Sequence, residues 1–150
     1  MPGVRSTTII KTINAPIRFV FNWCTDYQET DPAITGSKRK RVILDRSEAR
    51  VVYAALFDEE DGRTHVSVYD VKLKPPRSWH YAIFDPDRVG TGDYKLKRLS
   101  SKSTELKIIF RNRYKNPAKM ENAQEYMKRL NILWDKYILA LEKEYSARCH

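Results

Sequence analysis

From Asn116 to Tyr145 the chain reads as one long amphipathic helix, and it follows a sequence patterned mainly as strands. Asn116 is placed to cap it, and Pro117 suits the first helical position, where a missing N–H costs no hydrogen bond. Met120, Ala123, Met127, Leu130, Trp134, Tyr137 and Leu141 recur at steps of three and four residues. Tyr126, Leu133, Ile138 and Tyr145 widen this stripe, while Lys and Glu fill the opposite side. Such a stripe is broader than the seam of a two-stranded coiled coil and calls for a sheet to cover it. The preceding strands are the cover available, and what lies between sheet and helix, packed side chains or a ligand, decides the function.

The strands are read from alternation and from the turns that bound them. Thr7 to Ile13 is β-branched and predicts the first strand. Ala15-Pro16 then opens a short helix carrying Ile17, Phe19, Val20, Phe21 and Trp23. Thr25 and Gln28 have the spacing of a capping box, which predicts a second short helix from Asp26 that stops before Pro32. Beyond Gly36 the pattern predicts strands at Lys38 to Asp45, Arg50 to Phe57, Thr64 to Leu73, Trp79 to Phe84, Val89 to Leu99 and Thr104 to Arg111. Short connectors rich in Asp, Ser, Pro and Gly favour hairpins over crossovers. The expectation is therefore an α+β domain with about seven antiparallel strands, spanning residues 1–150.

Composition removes several function classes. A chain of 150 residues with 41% hydrophobic content is long enough to bury a real core and is not disordered. No run approaches the ~18 apolar residues of a membrane span. Met1 to Thr8 lacks the apolar segment of a secretory signal, so the expected location is cytoplasmic. Cys24 and Cys149 are too few for a disulfide framework or a zinc site. The net charge of +9 gathers in a run from Lys38 to Arg41 and in a second region from Lys95 to Lys115. Such regions attract nucleic acid, an anionic membrane surface or an acidic partner. In the second region, however, the charges alternate with Tyr94, Leu96, Leu106, Ile108 and Phe110, as the outer face of half-buried strands should. No helix-turn-helix, finger or RNA-recognition signature accompanies them, so nucleic-acid binding is disfavoured.

Several short motifs fall in a telling order. Ile13-Asn14-Ala15-Pro16 is followed by Val20-Phe21 and Asp26; Lys74-Pro75-Pro76-Arg77 precedes Trp79-His80-Tyr81; Ser103-Thr104-Glu105-Leu106 opens the last strand. With the order β-α-α-β-β-β-β-β-β-α, these resemble the helix-grip fold of the START and pollen-allergen superfamily, SRPBCC, which includes polyketide cyclase and lipid-transport proteins. The resemblance covers nearly the whole chain. It implies a curved sheet gripping the long helix, with a cavity between them that takes up a lipid, sterol or aromatic compound. It supplies no universal catalytic residues, and fold alone does not decide function.

The lining is therefore read from alternation. Phe110 shares an inward face with Leu106 and Ile108, opposite Lys107 and Arg111; Tyr94 lies inward against Lys95 and Lys97. In the strand from Thr64, placing Asp70 and Lys72 outside turns His65, Ser67, Tyr69, Val71 and Leu73 inward. Trp79, Tyr81 and Ile83 share a face, with Tyr53 and Phe57 joining them, and the helix adds Met127, Leu130 and Trp134. Aromatic groups with polar tips suit a small hydrophobic or amphipathic ligand. The alternative is a cyclase-like or dehydratase-like enzyme on an aromatic or polyketide-type substrate; a third reading is a surface module for an anionic partner.

His65 is the only inward histidine, since His80 falls on the other face and His150 ends the sequence; it is the candidate acid or base. No nucleophile or orienting partner stands at a readable spacing. Asp58 to Asp61 lacks the spacing of a calcium loop, and Gly90-Thr91-Gly92 does not continue as a phosphate-binding loop, so neither metal nor cofactor is expected.

Overall fold

The computed structural model describes residues 3–149. Seven strands appear: β1 (Val4–Ile13), β2 (Lys40–Arg46), β3 (Arg50–Asp58), β4 (Thr64–Lys74), β5 (Ser78–Phe84), β6 (Arg88–Ser100) and β7 (Ser103–Tyr114). They form one antiparallel sheet in the order β1-β7-β6-β5-β4-β3-β2. Strands β2 to β7 follow one another as hairpins; the turn between β4 and β5 contains a cis Pro75–Pro76 peptide. β1 and β2 are consecutive in sequence but lie at opposite edges. The connection between them holds the helix α1 (Ile17–Thr25) and a 3₁₀ turn (Asp31–Thr35), which close that side of the sheet.

Alternation decides which face is inner. Along β7, Thr104, Leu106, Ile108, Phe110 and Asn112 are buried, whereas Lys107, Arg111 and Arg113 are exposed. In register, Ile108 faces Ile9 of β1 and Tyr94 of β6, so neighbouring strands turn apolar side chains to the same side. The long helix α2 (Ala123–Arg148) lies on that side and buries Tyr126, Leu130, Ile138 and Leu141. Three distant contacts fix its position: Lys11 pairs with Asp135 at 2.8 Å, and Asn14 N–H and Trp23 Nε1–H donate to Glu142 and Glu144 at 2.7 Å each. The buried Thr104 hydroxyl donates to the Ala15 carbonyl at 2.8 Å and ties the start of β7 to the chain entering α1. Among the described residues no helix is long and apolar enough to cross a membrane. The second basic region sits largely on the outer face, where Lys95 stands opposite Lys107.

Two helix boundaries differ from the sequence reading. Asn116 caps only a short 3₁₀ turn, Pro117–Lys119, accepting from Ala118 N–H at 3.1 Å. Met120 then turns extended, and α2 starts at Ala123 beneath a second cap, Asn122, whose side chain accepts from Gln124 N–H at 2.8 Å and Glu125 N–H at 3.4 Å. Met120 thus lies outside the helical stripe. The Thr25 capping box also does not form: Thr25 ends α1, its hydroxyl donating back to the Phe21 carbonyl at 2.7 Å. The second helical piece comes later, at Asp31–Thr35, where Pro32 sits in the first turn and its missing N–H is harmless. Phe57 does not join the inner wall, since the end of β3 leaves it 42% exposed.

Candidate functional site

Between the concave face, α2 and the Asp31–Thr35 turn lies a cavity of about 530 Å³. Its sheet wall is aromatic because inward positions of adjacent strands meet in register. Tyr53 faces Tyr69, and their rings stack at 4.7 Å and 9°. Trp79 faces Tyr94, stacked at 4.8 Å and 11°. Tyr81 meets Tyr69 edge to face at 5.3 Å, and Trp134 of α2 reaches Tyr94 at 5.8 Å. Tyr81 is opposite Gly92, which is opposite Phe110. The missing side chain at Gly92 leaves the space that the Tyr81 ring occupies: a Cβ there would stand 2.3 Å from Tyr81 Cε2.

Burial, followed by the neighbouring tyrosines, holds the phenols of Tyr53, Tyr81 and Tyr94 well above their ordinary pKa of 10.0. They stay neutral around pH 7 and present both a donor and an acceptor. None of these hydroxyls is a buried orphan among the described residues. Cys24 also lines the cavity, and burial pushes its thiol up, which disfavours the reactive thiolate.

The polar part of the lining is basic. Arg39, Lys40, Arg41, Arg88, Arg129 and Lys136 contribute to it, against a single carboxylate among the described residues, that of Asp31. Arg39, Lys40 and Lys136 are exposed at the mouth. Arg41 lies over the Tyr53 ring at 4.6 Å and pairs with Asp31 at 2.7 Å. Arg129 lies over Tyr126 at 5.3 Å and pairs with Glu121 at 3.0 Å.

Of the residues expected to form a pocket, the structure brings together Tyr53, Tyr69, Trp79, Tyr81, Tyr94 and Phe110 from the sheet with Leu130 and Trp134 from the helix. Met127 packs against the core instead of facing the cavity. His65 keeps the inward parity but stands near the start of β4, away from the lining. There its Nε2 lies 2.7 Å from Asp85 Oδ2, which also accepts from the Ser67 hydroxyl at 2.6 Å; Glu59 is 3.4 Å from Nδ1. The orienting partner that no sequence spacing revealed is thus Asp85, brought in by the β5–β6 turn. His65, Asp85 and Asp87 place donor atoms within 4.8 Å of one another, a geometry that could hold a metal. His65 and Asp85 are already hydrogen-bonded to each other and Asp85 Oδ1 accepts from Asp87 N–H at 2.8 Å, whereas the Asp87 carboxylate stands 3.9 Å from His65 Nδ1; the Asp85 hydrogen bond holds the imidazole above its ordinary 6.5.

The sequence reading missed Arg88, Arg41, Arg129, Tyr27 and Tyr137 as lining residues. Arg88 shares the parity of Gly90, Gly92 and Tyr94, and starting β6 one residue earlier would have revealed it.

No protein-family model matches the sequence, and no curated protein does. Solved structures match it in fold. The Zhui aromatase/cyclase from Streptomyces sp. R1128 superposes with a TM-score of 0.70 at 16% identity, covering 98% of this chain and 96% of that one. Ara h 8.0201 gives a TM-score of 0.71 at 16% identity, over 97% and 99% of the two chains. A START superfamily protein from Mycobacterium smegmatis gives 0.67 at 14% identity, over 95% and 97%. At such identities the likeness speaks for fold and not for chemistry. Sheet order, the helix across the concave face and these superpositions agree, and the chain has a START-like helix-grip fold.

Proposed function

We propose that the protein binds a small aromatic or amphipathic molecule in the cavity between the sheet and α2, as a carrier or sensor. The observation that carries this reading is the aromatic wall from Tyr53 to Trp134 around a space of about 530 Å³, within the range of small-molecule sites. The fold likeness to the Zhui aromatase/cyclase is the support for an enzymatic alternative. Against it, among the described residues the lining offers no histidine, and the one carboxylate there, Asp31, is already paired with Arg41.

Titration with N-phenyl-1-naphthylamine, a neutral dye that brightens in apolar surroundings, tests the binding reading. Saturable binding is expected, and Ala55→Trp, which fills space at the lining, should weaken it by about tenfold or more. Unchanged affinity in that variant, or no binding to the unmodified protein, would overturn the reading and favour a surface role.

A further inference from the structure

Arg88 differs from every other cation of the cavity. Arg41 and Arg129 have their carboxylates, and Arg39, Lys40 and Lys136 stand in solvent. Arg88 is half-buried on the inner face at the first position of β6, and among the described residues no carboxylate lies within ion-pair distance of it. Its one side-chain hydrogen bond is long, 3.4 Å to Asn112 Oδ1.

The surroundings are shaped to keep this group in place. Asn112 is buried, and its Nδ2 donates to the Tyr126 hydroxyl at 3.4 Å. It fits there because the residue opposite is Gly90, where a Cβ would stand 2.2 Å from Asn112 Oδ1. A guanidinium carries five N–H donors in a fork that matches a carboxylate or another oxyanion, and here most of those donors have no protein acceptor. A half-buried cation without a counter-charge is unfavourable, and an anion arriving from outside would relieve that cost.

Resting on the binding reading above, we propose that the ligand is an organic anion: an aromatic or amphipathic body lying along the tyrosine wall, with one acidic group held by the Arg88 guanidinium. The basic residues at the mouth draw such a molecule in, and Arg88 sets its orientation.

The test uses two dyes with the same N-phenylnaphthylamine body: 1-anilinonaphthalene-8-sulfonate, which is anionic, and N-phenyl-1-naphthylamine, which is neutral. Arg88→Met is expected to weaken the sulfonate by about tenfold while leaving the neutral dye within about twofold, retained binding of the latter showing that the cavity is intact. Arg88→Lys should keep part of the preference, and Lys136→Met at the mouth should cost the sulfonate less than about threefold. Loss of both dyes together, an equal loss in Lys136→Met, or no effect of Arg88→Met would overturn the assignment. On the unmodified protein, decanoate should displace the neutral dye at lower concentration than decanol does; the reverse order overturns the assignment even if Arg88→Met does not fold. If the unmodified protein takes up neither dye, the binding reading falls as well; uptake of the neutral dye with exclusion of the sulfonate sinks only the anion.

Discussion

At Gly92 the ring of Tyr81 occupies the space where any other residue would carry its Cβ, 2.3 Å from Tyr81 Cε2. Gly92→Ala therefore has to swing a ring that forms the middle of the cavity wall. The expected loss is about 1–3 kcal/mol in urea unfolding, with weaker binding of the neutral dye. His65 shows the opposite case, a polar residue of correct parity in a different place. Its pKa is raised above 6.5, first by the Asp85 hydrogen bond, so its contribution to stability is present below pH 6.5 and lost as pH rises through the folded value. Burial pushes Asp85 up, but the Ser67 and His65 hydrogen bonds together outweigh it and leave its pKa below 3.8; its contribution is lost as pH falls through that lower value. His65→Ala should accordingly cost about 1–2 kcal/mol near pH 5.5 and less at pH 8, with dye affinity unchanged. A strand period of two residues tells which face a side chain takes. It does not tell how far along the strand the cavity extends, which is why Tyr69 lines it and His65 does not.

Among the elements, α2 was legible in its body and not at its start. Asn116-Pro117 and Asn122 carry the same local preference for a helix N-terminus, and propensity does not rank them. The chain resolves the choice by its path out of β7: the extended Met120 separates the short turn from the helix. Asn122→Ala should cost about 1 kcal/mol in chemical denaturation, and Asn116→Ala less, since Asn116 caps only a three-residue turn. At the other helix, Asp26 follows the last residue of α1 and is pushed up to about 6, first by burial, then by Asp31 and Glu144. A carboxyl whose folded pKa is raised loses stability for the fold as pH climbs from 3.8 through that value. Asp26→Asn should therefore stabilise the protein by about 1 kcal/mol at pH 7, after allowance for partial solvent exposure, and by little at pH 4. Thermal melts at the two pH values check this.

For the whole molecule, the net charge of +9 divides into two populations. Lys95, Lys97 and Lys107 lie on the solvated outer face, as alternation implied, whereas part of the run from Lys38 to Arg41 folds back over the cavity mouth. If the mouth draws in anions, the anionic dye should weaken severalfold when salt is raised from about 0.05 M to about 0.5 M, with the neutral dye nearly unaffected. Equal salt response of the two dyes would count against a charged entrance.

The order of strands and helices, and the inner face of β3 to β7, were already written in the chain, because periodicity and turn chemistry depend on neighbours a few residues apart. Tyr53, Tyr69, Trp79, Tyr81, Tyr94, Phe110, Leu130 and Trp134 were identified on that ground. The cavity, its charge and its exclusions depend on atoms from distant positions: Asp85 on His65, Asn112 on Arg88, Asp31 on Arg41. Which cation keeps a carboxylate and which is left without one emerges only when β2, β6 and β7 are curved around α2, since pairing is a matter of ångströms between side chains and not of spacing along the backbone.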